Sequence, residues 1–130
     1  MRKLQSERGQ SFVEFAFIMP FLVFLVLGII QFGRALHNYL VIADAARVGA
    51  REGAVHRTTA CSSAITKING LGVLPSGATP SCSTPDGLVT GGRLVITIPY
   101  SVSFGLPGFW GVPAATRTLT VSTTATERLE

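Results

Sequence analysis

From Phe12 to Ile30 the chain is apolar except for one residue, Glu14. A run of about 20 apolar residues, rising about 1.5 Å each as a helix, has the length that crosses the hydrocarbon core of a bilayer. A carboxylate inside such a helix costs roughly 2.5–3.5 kcal/mol at the bilayer centre and less near the interface. Glu14 therefore needs either a route to the nearby interface or a positive partner. The segment Gly9-Gln10-Ser11-Phe12-Val13-Glu14-Phe15 offers such a partner. A cut after Gly9 would turn Gln10 into a charged N-terminus about one helical turn from Glu14.

The flanks give the run a direction. Arg2, Lys3 and Arg8 precede it, and positive residues stay in the cytoplasm, so the chain after about Arg34 is expected outside. A cleaved secretory signal is the competing reading. Its apolar core is shorter and ends in a small-x-small site, whereas this run ends in Gln31-Phe32-Gly33-Arg34. The formal charge of the 130-residue chain is +4. The leader supplies half of it, three basic residues against Glu7. The rest is scattered, with no basic run interleaved with aromatics, so nucleic acid is not an expected partner. A composition of 47% hydrophobic and 14% charged residues fits a membrane-anchored small domain better than a soluble enzyme. Roughly 70 residues remain for a globular part, too few for a sizeable core without help.

The expected organisation is a basic leader at 1–9, a long helix at 10–57 and an extracytoplasmic domain at 58–130. The helix crosses the membrane at about 12–32 and continues outward as an amphipathic stalk. Pro20 removes a backbone donor inside the span and is expected to kink it. Beyond Arg34, Leu36, Tyr39, Leu40, Ala43, Ala46 and Ala50 recur mostly at steps of three or four. Small residues dominate Ala43 to Ala54, and small residues let another helix approach closely. Ala43, Ala46, Ala50 and Gly53 are the candidate packing positions. They can face the chain's own domain, a sister subunit, or both from different faces. Asp44 and Arg47 can pair across three residues.

Cys61 and Cys82 are the only cysteines. An even pair in a small extracytoplasmic domain points to a disulfide, with two free thiols as the alternative. The bridge would close a loop of about 20 residues, stabilising by roughly 3 kcal/mol in the chain-entropy model. Ser62 or Ser63 is a candidate cap for a short helix through Asn69, with Gly70 as its stop. Leu71 to Gly92 reads as irregular loop. In Arg93 to Phe104, residues Leu94, Ile96, Ile98, Tyr100, Val102 and Phe104 alternate onto one face of a strand, and Pro99 marks an edge or a bulge. In Arg117 to Thr126, Leu119, Val121 and Ala125 point inward. Together they make an antiparallel hairpin over 93–126, so the expected class is α+β: a long N-terminal helix, then a small antiparallel sheet. The connection at 105–113 is apolar where a loop should be polar. Phe109 and Trp110 either fold back on the domain or form a contact tip.

No motif of catalysis stands out. The sequence has no G-x-S-x-G, no H-E-x-x-H and no P-loop. His37, His56 and Cys61 make a poor metal-ligand set. Glu127 and Glu130 sit at the chain end, where fraying is the default. An enzyme, a metal and a cofactor are not expected.

Taken together, Arg8-Gly9-Gln10, Val13-Glu14-Phe15-Ala16, Pro20, Gly28, Phe32-Gly33-Arg34 and the Ala-rich 43–53 stretch resemble the TadE-like pseudopilins of tight-adherence (Flp-type) pili, within the type IV pilin superfamily. The resemblance covers Arg8 to Gly53, about a third of the chain. It implies cleavage by a prepilin peptidase between Gly9 and Gln10, and a pilin-like fold. It also implies that Glu14 pairs with the N-terminal amine of a neighbouring subunit and so sets axial register. Flp pilins often carry Tyr after this Glu; Phe15 keeps the ring without the hydroxyl. The implied partners are the membrane, the prepilin peptidase, other pilin or pseudopilin subunits and the pilus assembly platform. The implied location is the cytoplasmic membrane, single-pass with the N-terminus inside, or the pilus itself. The expected function is that of a minor subunit that helps initiate or assemble an adhesive pilus through helix–helix packing. A membrane-anchored envelope or binding protein, or a secretion-system pseudopilin, is the alternative.

Overall fold

The computed structural model describes residues 3–106, 108 and 115–130, with side chains from residue 9 onward except at 106 and 115. Phe109 and Trp110 lie outside the described residues. Helix α1 spans Lys3–Val55. It begins before Gln10 because Leu4 to Arg8 contains nothing that opposes a helix, and it continues through Pro20. A 3-10 turn, Arg57–Thr59, leads into α2, Ala60–Gly70. Strands β1 (Ser81–Ser83), β2 (Arg93–Leu106) and β3 (Ala115–Arg128) form an antiparallel sheet in the order β1-β2-β3. The class is α+β. The chain forms two compact units, Met1–Arg34 and Ala35–Glu130.

Within the second unit the core joins three sources. Ile42, Ala45, Ala46 and Ala50 come from α1, Ala60, Ala64 and Ile68 from α2, and Leu94, Ile96 and Ile98 from β2, with Leu129 closing it. The face that α1 buries is thus 42-45-46-49-50-53. Of the stripe read from the sequence, Leu36, Tyr39 and Leu40 are exposed and Ala43 is half-buried, so they lie outside this buried face. Close approach, not side-chain size, selects the buried face. A Cβ at Gly53 would stand 2.5 Å from Leu94 Cδ2 and 2.7 Å from the Ala60 carbonyl oxygen; one at Gly49 would stand 2.4 Å from Ile68. The two glycines seat α2 and β2 against α1 where any side chain would hold them off.

The start of α2 also differs from expectation. Neither Ser62 nor Ser63 caps it. Ser62 Oγ donates to the Thr59 carbonyl at 2.9 Å, and Ser63 Oγ lies 3.0 Å from Thr59 Oγ1. Helix α2 therefore starts two residues before Ser62, and its C-cap is Leu71, followed by Gly72 at φ +63°. The stretch read as loop contains β1, which the Cys61–Cys82 disulfide fastens to α2 (Cα–Cα 5.5 Å). Thr84-Pro85-Asp86-Gly87 turns back, with Gly87 N–H donating to the Thr84 carbonyl at 3.0 Å and Gly87 at φ +77°.

The hairpin register runs from Arg93 opposite Arg128 to Leu106 opposite Ala115. Ser81 Oγ donates to the Thr97 carbonyl, so Thr97 turns its backbone groups toward β1. Pro99, two residues on, faces the same way, past the end of β1, where its missing N–H removes no ladder bond. On β3, Leu119 is 58% exposed while Thr123 is buried. The alternation is as read, but burial fades toward the far end of the hairpin, so position along the strand overrides residue type. The chain end is not frayed. Leu129 exchanges backbone hydrogen bonds with Gly91 and Gly92, each at 2.8 Å, and Glu130 N–H donates to the Ala54 carbonyl at 3.2 Å.

Candidate membrane span and packing face

In the first unit, Phe12 is 73% and Phe17 is 80% exposed, and the apolar window that could cross a membrane is nowhere covered by the chain itself. Phenylalanine, leucine and valine facing outward on every side of a helix need lipid or other protein around them. Gly9, Gln10 and Glu14 lie on this helix and are exposed. Gln10 and Glu14 are four residues apart, so both look out from one face at successive turns. Among the described residues, Glu14 has no hydrogen-bond or ion-pair partner. No Cβ added at Gly9, Gly28 or Gly33 would meet anything within 4 Å. From residue 9 on, the described part of the first unit is mostly exposed.

The second unit is the reverse. Ala46, Ala50 and Gly53 are buried against the chain's own α2 and β2, so a sister subunit cannot reach them. Of the four candidate packing positions only Ala43 keeps partial exposure. Among the residues left outward on α1 are Leu36, Tyr39, Leu40 and Val48, with Asp44 and Arg47, whose side chains approach to 3.5 Å. Sequence reading missed Gly49 and Ile42, which carry the closest approach and one of the largest buried side chains. The signal was present as Gly49-Ala50-Arg51-Glu52-Gly53, a small-x3-small spacing. It also missed Asn38, whose Nδ2 donates to Tyr100 Oη at 2.8 Å and links α1 to β2.

Polar clusters in the second unit are structural. Arg93 donates to Asp86 through Nε (2.8 Å), Nη2 (3.1 Å) and its backbone N–H (3.2 Å). These bonds, the side-chain ones foremost, hold the Asp86 carboxyl below its ordinary pKa and raise that of Arg93. They fix the turn that precedes β2, and Arg57 adds a hydrogen bond to Thr90. A cleft of about 650 Å³ near the end of α1 contains Glu52, His56, Ser62, Ser63 and Lys67. Glu52 sits 3.5 Å from His56 and 3.9 Å from Lys67. Both serine hydroxyls engage Thr59, not His56.

The molecule is thus an α+β protein with one N-terminal helix long and apolar enough to cross a membrane. A family model described as TadE-like protein matches residues 9–51, about a third of the chain, and over those residues the chain is similar to that family. The match begins at the glycine before Gln10 and ends inside the Ala-rich face of α1. No curated protein and no solved structure matches the chain.

Proposed function

We propose that the chain is a minor pilin-like subunit of a tight-adherence pilus, anchored in the cytoplasmic membrane by residues of about 12–32 with its sheet domain outside. The observation that carries this reading is the TadE-like match over 9–51, which includes the exposed apolar run from Phe12 to Ile30. Such a family is structural and associated with pili, and its chemistry is packing. In this reading a prepilin peptidase removes residues 1–9. The freed ammonium of Gln10 and the carboxylate of Glu14 are each poorly solvated in lipid, and pairing between neighbouring subunits relieves both. The outward face of Leu36, Tyr39, Leu40 and Ala43 continues the contact beyond the membrane toward sister subunits and the assembly platform.

The test is a Glu14→Ala strain beside a Glu14→Asp strain, scored for surface pili and adhesion. Because Glu14 lies outside the Ala35–Glu130 unit that holds the sheet, the folded domain should be unaffected, and its disulfide gives an independent check of folding. The expected result is loss of assembly in Glu14→Ala with partial recovery in Glu14→Asp. Wild-type pili in Glu14→Ala would remove the pairing role.

A further inference from the structure

Within the Ala35–Glu130 unit, the sheet turns one face to the core and leaves the other outward. Leu94, Ile96 and Ile98 are the inward residues of β2. Its odd-numbered residues and, by register, the even-numbered residues of β3 therefore form the outer face. There Thr97 lies opposite Thr124, Ser101 opposite Thr120 and Ser103 opposite Thr118. Thr97 is half-buried and the other five are exposed. Hydroxyls opposed across strands can bond to each other. These do not: among the described residues, none of the six side chains has a hydrogen-bond partner. Ser122 and Thr126 complete the row on β3, and no charged residue interrupts it between Thr118 and Thr126, or its counterpart on β2 between Val95 and Ser103. Hydroxyls thus recur about every 7 Å along β3, with their donors and acceptors unused.

One end of this face breaks a rule of sheet construction. Arg93 stands directly opposite Arg128, and both are exposed. Like charges at such positions destabilise a sheet. Asp86 relieves only Arg93, through its three hydrogen bonds. Arg128 has no hydrogen-bond or ion-pair partner among the described residues. Nor does either strand place a carboxylate on this face. Glu127 is the one acidic residue of β2 and β3, and it lies opposite Leu94, on the inward side of the register. A conflict left standing in an otherwise consistent fold points to a ligand that resolves it.

The chemistry of the face describes that ligand. Guanidinium forks take a carboxylate through two parallel hydrogen bonds. Two of them are too few for the dense phosphate row of a nucleic acid and suit a polymer whose charges are sparse. The hydroxyl rows beyond them fit a partner that donates and accepts along its own length, while the threonine methyls, Val95 and Pro99 offer it apolar contact. A small anion would use the arginines and leave the rows idle. We propose that the outer face of β2 and β3 binds an acidic polysaccharide, a hydroxyl-rich chain with spaced carboxylates. Its carboxylates engage Arg93 and Arg128, and its hydroxyls run along Ser101, Thr120 and Thr124. This binding face goes beyond the assembly role proposed above and depends on neither leader cleavage nor Glu14.

The test uses the full chain in detergent micelles, with polygalacturonate immobilised as the probe and neutral dextran beside it. Wild type should bind polygalacturonate, more weakly as salt rises, and bind dextran at least about tenfold less. Arg128→Glu should bind about tenfold less than wild type. Its melting temperature should stay level or rise, because an opposite charge now faces Arg93. That combination separates a ligand contact from a structural role, which would lower the melting temperature. Thr120→Val together with Thr124→Val keeps side-chain shape and strand preference while removing two hydroxyls, and should weaken binding about threefold or more with the fold intact. No binding of polygalacturonate, equal binding of dextran, undiminished binding by either variant, or a melting temperature lowered by Arg128→Glu would each overturn the proposal.

Discussion

Residues 9–34 and 35–55 of α1 share one secondary structure and oppose each other in every other respect. The first stretch carries Phe, Leu, Val or Ile at most positions and buries almost none of them within the chain; the second buries Ala, Gly and a single Ile. Hydrophobicity therefore does not predict burial along this helix. What predicts it is whether a neighbour can come close. Large side chains keep other backbone away and leave their surface for lipid or for other chains. Small ones admit α2 and β2 to contact distances that no larger residue permits.

That contrast is open to attack by mutation, and the largest effects belong to the second unit. Ile96→Ala removes a fully buried side chain and should cost roughly 2–5 kcal/mol in the unfolding of the sheet domain. Phe17→Ala, at a larger but exposed residue, should change the same transition by less than about 0.5 kcal/mol. Thermal unfolding of the full chain in detergent compares them, and a large effect of Phe17→Ala would break the division. Next is Cys82→Ser. The loop it opens has a sequence separation of 21, which corresponds to a loss of about 3 kcal/mol in the chain-entropy model. Reductant should reproduce the loss in wild type and add nothing to the variant.

Glycine sharpens the comparison further. Gly53→Ala forces a methyl onto a carbonyl oxygen and should cost about 1–3 kcal/mol. Gly49→Ala meets mainly the flexible end of Ile68 and should cost less. Gly28→Ala, with open space around it, should be neutral or favour the helix by up to about 1 kcal/mol. The smallest effect is that of Asp86. A carboxyl held low in the folded chain contributes stability above its unfolded value, about 3.9, and that contribution fades as pH falls below this value toward the folded one. Asp86→Asn should therefore lie slightly below wild type in a melting series at neutral pH and converge with it in acid.

Much of this was legible in the sequence, and the exceptions share a cause. The apolar run, the alternation of Leu94 to Phe104 and the hairpin carry their information in side-chain chemistry, which sequence displays directly. The buried face of α1 is written in the absence of side chains at Gly49 and Gly53, so it is a different face from the stripe of larger residues Leu36, Tyr39 and Leu40, which stays exposed. Strand β1 is three residues long and is held by a covalent bond and a neighbour, neither of which leaves a periodic pattern. Leu129 looked like a chain end because its partners, Gly91 and Gly92, are almost 40 residues away. At the candidate site, Glu14 announced itself because a charge in an apolar run is rare. The inward placement of Ala46, Ala50 and Gly53 appeared only with the fold, since an alanine stripe suits a core and a subunit seam equally well.

The central claim is that Glu14 acquires its partner when the bond between Gly9 and Gln10 is cut. Intact mass and N-terminal sequence of the chain isolated from its native membrane test this most directly. The account predicts a polypeptide that starts at Gln10 and lacks the mass of residues 1–9; a chain that still starts at Met1 would contradict it.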